Sequence, residues 1–155
     1  MSDLKIGDKA PPFDLPTDGG GRVKQSDLKG QKVILYFYPK DDTPGCTTEA
    51  CNFRDALPDF QATDAVIIGV SKDSPAKHDK FKEKHGLNFI LASDEDGSIC
   101  EAYGTWIEKS MYGKTYMGID RATFLIAPDG TIAHIWRKVK VPGHAEDVLN
   151  AAKSL

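Results

Sequence analysis

The sequence predicts an α/β fold, with a central mixed β-sheet flanked by helices. Three observations carry this. The runs VILYFY (33–38) and AVIIGVS (65–71) have the length and β-branched content of strands buried on both faces. Helical patterns alternate with such runs, as crossovers between parallel strands require. Near the end, ATFLIA (122–127) and TIAHIWR (131–137) are joined by Pro-Asp-Gly, a hairpin signal, which adds antiparallel strands to the sheet.

The elements follow in order. FDLP and RVKQ flank DGGG and read as a small N-terminal hairpin. SDLKG is a short helical turn closed by Gly30. After VILYFY a helix runs from about residue 44 to 57 or 60, with Pro58 expected to end or kink it. AVIIGVS precedes a helix over roughly 75–85, then FILAS (89–93) and a short helical segment near 97–103. YGTWIEKSMYGKTYMGID, rich in Gly and Tyr, reads as irregular. After the 122–137 hairpin, a last helix follows Gly143, its apolar face built by Ala145, Val148, Leu149, Ala152 and Leu155. This is the thioredoxin-like order, with a hairpin extension in front and residues 72–121 inserted.

One hundred and fifty-five residues suit one domain, 1–155, with a core that needs no staples. Lys and Arg number 20 against 23 Asp and Glu, a net charge of −3 that argues against nucleic acid or anionic membrane as the main partner. No apolar run approaches the ~20 residues of a membrane span. MSDLKIGDKA lacks the apolar segment of a secretory signal, so the expected location is the cytoplasm. Three cysteines do not form a structural disulfide framework, and a cytosolic disulfide would be transient or catalytic.

The chemistry gathers in PKDDTPGCTTEAC (39–51). Pro39 ends the strand, because it cannot donate to a central ladder. Thr43-Pro44 reads as a helix start, Thr as N-cap and Pro at the first helical position. Cys46 is then third in the helix, among backbone N–H groups without helical partners and at the positive end of the helix dipole. That setting favours thiolate over thiol, and Gly45 leaves the sulfur open to small molecules. The alternative is a buried cysteine acting as a small hydrophobe. Cys51 lies five residues on, where an ideal helix separates the Cα atoms by about 8.6 Å. A disulfide needs less than ~7 Å, so the two sulfurs can bond only if the first turn unwinds. Cys51 is therefore either a core residue or a thiol that reaches Cys46 after local unfolding. Arg121, at the start of ATFLIA, can approach the thiol if that strand lies beside VILYFY, holding its anion and orienting an oxygen ligand; otherwise it pairs at the surface with Asp120 or another carboxylate.

Other chemistries are poorly served. There is no Cys-x-x-Cys, and Cys46 and Cys51 lack the second close ligand pair of a zinc site. His78, His85, His134 and His144 are scattered and read as solvated or structural positions, with no feature pointing His134 at the thiol. Cys100, among small and apolar neighbours, reads as structural. Trp106, Met111, Tyr112 and Tyr116 either line the approach to the site or pack a core or lid.

Pro39-x-x-x-Thr43-x-x-Cys46, with the distant Arg121-x-Thr-Phe, resembles the active-site signature of the peroxiredoxins, thiol peroxidases on a thioredoxin-like fold. Cys51 and the segments GDKAPPFDLP and MYGKTYMGIDRATFLIAPDG resemble the bacterioferritin-comigratory-protein (Q-type), atypical two-cysteine branch, so the similarity covers nearly the whole chain. The resemblance implies a peroxidase for hydrogen peroxide and organic hydroperoxides. Cys46 would attack the peroxide and become a sulfenic acid. Thr43 would hydrogen-bond thiolate and peroxide, Arg121 would polarise the O–O bond, and Pro39 would shield the sulfenate. Cys51 would close an intramolecular disulfide that thioredoxin or a similar dithiol reduces. Gly45 and Glu49 would support the site, as would Arg54. A monomer without metal or other cofactor is expected. The competing functions are a non-enzymatic thiol redox sensor using the same disulfide, and a zinc site on Cys46 and Cys51.

Overall fold

A computed structural model describes residues 4–155 of the chain. Its centre is a five-stranded sheet in the order β5-β4-β3-β8-β9, made of β3 (Lys32–Phe37), β4 (Ala65–Ser71), β5 (Ile90–Ser93), β8 (Ala122–Ile126) and β9 (Ile132–Trp136). β3, β4 and β5 run parallel, while β8 and β9 are antiparallel to their neighbours. The mixed sheet is the one expected. β3 and β8 are buried along nearly their whole length, which is why VILYFY and ATFLIA read as continuous apolar runs.

The period of two along β3 divides its side chains between two cores. Ile34 and Tyr36, with Tyr38 beyond the strand, join α1 (Pro44–Gln61), α4 (His144–Ser154) and Phe81 of α2 (Pro75–His85). Val33, Leu35 and Phe37 face the N-terminal segment through Phe13, Leu15 and Val23, and α3 (Ser98–Ala102) through Cys100. The N-terminal hairpin is present as β1 (Asp14–Pro16) paired with β2 (Arg22–Lys24).

Of the two ends expected for the first long helix, the later is found: α1 does not stop at Pro58 but runs on to Gln61. Pro58 cannot donate to the Arg54 carbonyl four residues back, and the Asn88 side-chain amide donates to that oxygen instead, at 3.4 Å. The stretch read as irregular is an antiparallel hairpin, β6 (Trp106–Met111) and β7 (Lys114–Ile119). Its turn is Tyr112-Gly113, both at positive φ (53° and 78°), the pattern that suits a two-residue hairpin. Leu155 lies past the end of α4 and is exposed, so the helix seals its core with Ala145, Val148, Leu149 and Ala152 alone.

Candidate active site

β3 delivers the chain into a loop, 39–43, that α2 and the strand ends hold from beneath. Pro39 is half-buried at its start. Asp41 is buried; its carboxylate accepts from the Tyr38 hydroxyl and meets His78 Nδ1 at 2.6 Å, and its N–H donates to Asp73 Oδ2 at 2.8 Å. His78 Nε2 lies 3.0 Å from the Ala92 carbonyl, which can only accept. Nε2 therefore donates to it. Asp42, at φ 61°, binds Lys84 Nζ at 2.8 Å and His85 Nε2 at 3.1 Å. The two adjacent aspartates thus fasten the loop to α2 on a buried and an exposed side.

Thr43 is the extended N-cap of α1 with Pro44 in the first turn, as expected, but its hydroxyl makes no cap bond to the helix. It donates to the Lys40 carbonyl at 2.9 Å, which leaves its lone pairs able to accept from an incoming hydroxyl. Cys46 follows, 2% exposed. Its sulfur takes a hydrogen bond from Arg121 Nη2 at 3.4 Å, and Arg121 Nη1 donates to Glu49 Oε1 at 2.7 Å. One guanidinium therefore bridges the sulfur and a carboxylate one helical turn on, the planar two-pronged geometry that suits Arg and not Lys. β8 brings Arg121 there by pairing antiparallel with β3, Phe37 opposite Ala122. Of the alternatives for Arg121, the structure shows the approach to the thiol.

Cys46 is buried, so Gly45 does not leave its sulfur open as expected. A Cβ at Gly45 would sit 3.2 Å from Arg121 Nη2, so glycine instead leaves room for the guanidinium. Glu49 is 1% exposed, and its Oε2 finds no partner. Burial raises its carboxyl to about 7, outweighing the pull of Arg121 in the opposite direction. Below the sulfur, Tyr36 stacks on Phe53 with ring centroids 4.7 Å apart, its hydroxyl buried without a partner. Burial, then the charges of Glu49 and Cys46, push that phenol well above its ordinary range. Gly69 on β4 makes space for the ring, since a Cβ would lie 2.9 Å from the hydroxyl. Behind Arg121, His144 and Thr123 hydrogen-bond through Nε2 and Oγ1 at 2.7 Å, and burial lowers His144 to about 4.

Cys51 is half-buried on the same unbroken helix, and Cys46 and Cys51 are both free thiols. Five residues turn a helix through about 140° net, so the two side chains point apart. That divergence also separates them as zinc ligands, and among the described residues no three metal-ligating side chains converge. Arg54, one turn after Cys51, donates to the His85 carbonyl at 2.7 Å, turning this side of α1 toward the end of α2. Cys100 is fully buried in the second core, its thiol held protonated by burial and by neighbouring Asp94.

The hairpin β6–β7 comes over the site from the other side. Lys109 is half-buried near Asp120, Arg121 and Cys46, and burial lowers its ammonium below the ordinary range. Met111, Tyr112 and Tyr116 are exposed, so they pack neither core nor lid, while Trp106 is half-buried with Lys72 Nζ 4.2 Å from its ring centre. Sequence reasoning missed Asp41 and His78, Tyr36, the Thr123–His144 pair and Lys109. Their partners are distant in sequence, and only the topology joins them.

Over residues 6–135 the chain matches the AhpC/TSA family. It belongs to that family. The resemblance to peroxiredoxins of the Q-type branch is borne out by its relatives within the family. The Bacillus subtilis peroxiredoxin Bcp is 53% identical over 152 residues, covering 98% of this chain and 97% of the relative. The Escherichia coli peroxiredoxin Bcp is 48% identical over 153 residues, covering 99% and 98%. Among solved structures, a cysteine-to-serine mutant of Xylella fastidiosa PrxQ superposes with a TM-score of 0.94 at 44% identity, covering 99% of this chain and 98% of that one. The Xanthomonas campestris bacterioferritin comigratory protein, studied for alkyl peroxide reduction, superposes with a TM-score of 0.88 at 46% identity, covering 92% and 90%.

Proposed function

We propose that this protein is a thiol-dependent peroxidase for hydrogen peroxide and organic hydroperoxides. The observation that carries the reading is the Arg121 guanidinium held between Cys46 Sγ and Glu49. Its charge sits where negative charge grows as the O–O bond breaks. The Cys46 thiolate attacks one peroxide oxygen, forming an S–O bond, and the O–O electron pair leaves with the alkoxide or hydroxide, which takes up a proton. Thr43 Oγ accepts from the peroxide hydroxyl and Arg121 donates to the departing oxygen, fixing the approach. Pro39, half-buried behind the loop, limits water at the sulfenic acid.

Cys51 then attacks the sulfenic sulfur, releasing water and closing a Cys46–Cys51 disulfide once the first turns of α1 unwind. A dithiol protein of the thioredoxin type supplies the two electrons that restore both thiols. Every electron in the cycle comes from sulfur, so the reaction calls for no metal or organic cofactor. The protein acts as a single domain, a monomer in the cytoplasm. Steady-state consumption of hydroperoxide with thioredoxin, its reductase and NADPH tests the reading: wild type turns over and Cys46→Ser does not. Retained turnover in Cys46→Ser would contradict it.

A further inference from the structure

Beside the loop that delivers Cys46 lies a cavity of about 250 Å3 that the peroxide chemistry does not use. Lys40, Lys77, Lys80 and Lys84 line it, over Phe81. Lys77, Lys80 and Lys84 are spaced three and four residues apart, so they share one face of α2 and span about 10 Å along it. All four lysines are exposed. The three aspartates on the wall are engaged within the protein. Asp41 is matched by His78 and Tyr38, and Asp73 accepts from Ser71 and the Asp41 N–H. Asp42 binds Lys84 and His85. Among the described residues Lys40, Lys77 and Lys80 have no carboxylate within ion-pair distance. Four lysines against three aspartates leave this wall a small positive excess, carried by the unpaired Lys40, Lys77 and Lys80, in a chain of net charge −3.

The location gives that face a use. Lys40 holds the Thr43 hydroxyl through its carbonyl, at the entry to the helix that carries Cys46. The end of α2 meets α1 through Arg54 and the His85 carbonyl, one turn beyond Cys51. A partner seated on the lysines therefore stands beside the loop that leads into the Cys46 helix and near the end of α2 that packs on α1. Ammonium groups spread along about 10 Å of helix match several carboxylates on a protein surface better than one small anion.

We propose that Lys40, Lys77, Lys80 and Lys84 dock the protein dithiol that reduces the Cys46–Cys51 disulfide, and that this partner presents an acidic rim around its nucleophilic thiol. The inference rests on the peroxidase reading above. The partner's thiolate attacks one sulfur of the disulfide and forms a mixed disulfide, expelling the other sulfur as thiolate. The partner's second thiol then displaces this protein, leaving the partner oxidised and both cysteines reduced.

The test compares wild type with Lys77→Glu/Lys80→Glu, changing two exposed side chains that make no contact with the thiols. Three rates are measured: turnover with thioredoxin, turnover with dithiothreitol, and single-turnover oxidation of the reduced protein by hydrogen peroxide. The expected result is a fall of roughly tenfold in kcat/KM for thioredoxin at low salt, narrowing at high salt. Dithiothreitol turnover and the peroxide rate stay unchanged. Unchanged thioredoxin kcat/KM in the variant would overturn the docking face, as would an equal loss with dithiothreitol. Failure of wild type to consume peroxide with dithiothreitol would instead strike the peroxidase reading itself, and the docking proposal with it.

Discussion

Arg121→Lys isolates the geometry of the site from its charge. In the wild type two nitrogens of one rigid fork reach Cys46 Sγ at 3.4 Å and Glu49 Oε1 at 2.7 Å. The side chain is only 17% exposed, so solvent screens these contacts weakly. A lysine keeps the positive charge but is a single point on a flexible stem. Drawn to the Glu49 carboxylate it leaves the sulfur, and drawn to the sulfur it leaves Glu49 buried without a partner. The loss is then one charge-assisted donor to the reacting atoms, about 3 kcal/mol, which is roughly a hundredfold in rate. Stopped-flow oxidation of the reduced protein by hydrogen peroxide reads this directly, without the reductant, while circular dichroism checks that the fold is kept. A second-order rate within about threefold of wild type would refute the bridging role of the guanidinium.

Other predictions follow from buried groups. Folding raises Glu49 from 4.5 to about 7, so the folded state keeps a proton that the unfolded chain releases; the stabilisation is full below pH 4.5 and is lost as pH rises through 7. Folding lowers His144 from 6.5 to about 4, so its stabilisation is full above pH 6.5 and is lost as pH falls toward 4. Each is worth about 3 kcal/mol, and in their shared window the two slopes oppose. Urea titrations across this range therefore show stability rising with pH in Glu49→Gln and falling with pH in His144→Asn; the wild-type slope in both variants would contradict the assignment. Gly69→Ala puts a Cβ 2.9 Å from the Tyr36 hydroxyl and costs about 1–3 kcal/mol in urea denaturation. Gly45→Ala crowds Arg121 Nη2 at 3.2 Å and slows peroxide oxidation of Cys46 more than it lowers stability.

How far the sequence disclosed the site depends on how local each contact is. The placement of Cys46 third in its helix follows from Thr43 and Pro44 alone, because capping is decided within one turn. Arg121 was legible only as one of two options, since its approach depends on β8 pairing antiparallel with β3. Glu49 stood out by its distance from Cys46 along the helix, but its burial and raised proton affinity come from the sheet behind it. Asp41 and His78 are 37 residues apart and meet through α2, which no local pattern reveals. The β6–β7 hairpin escaped notice because most of its residues are exposed, leaving no alternation of apolar and polar positions, and because its turn begins with Tyr112 where Asn or Asp is usual. Pro58 left two helix ends open for the opposite reason: the local rule holds, and Asn88 from a distant loop compensates for it.

The central claim is that Cys46 reduces the peroxide and Cys51 completes the cycle by bonding to it, although the folded helix holds them apart. Intact-mass measurement after one equivalent of hydrogen peroxide on the fully reduced protein tests it most directly. The account predicts loss of two hydrogens in wild type, gain of one oxygen in Cys51→Ser, and no change in Cys46→Ser. Loss of two hydrogens that persists in Cys51→Ser, or oxidation that survives in Cys46→Ser, would contradict it.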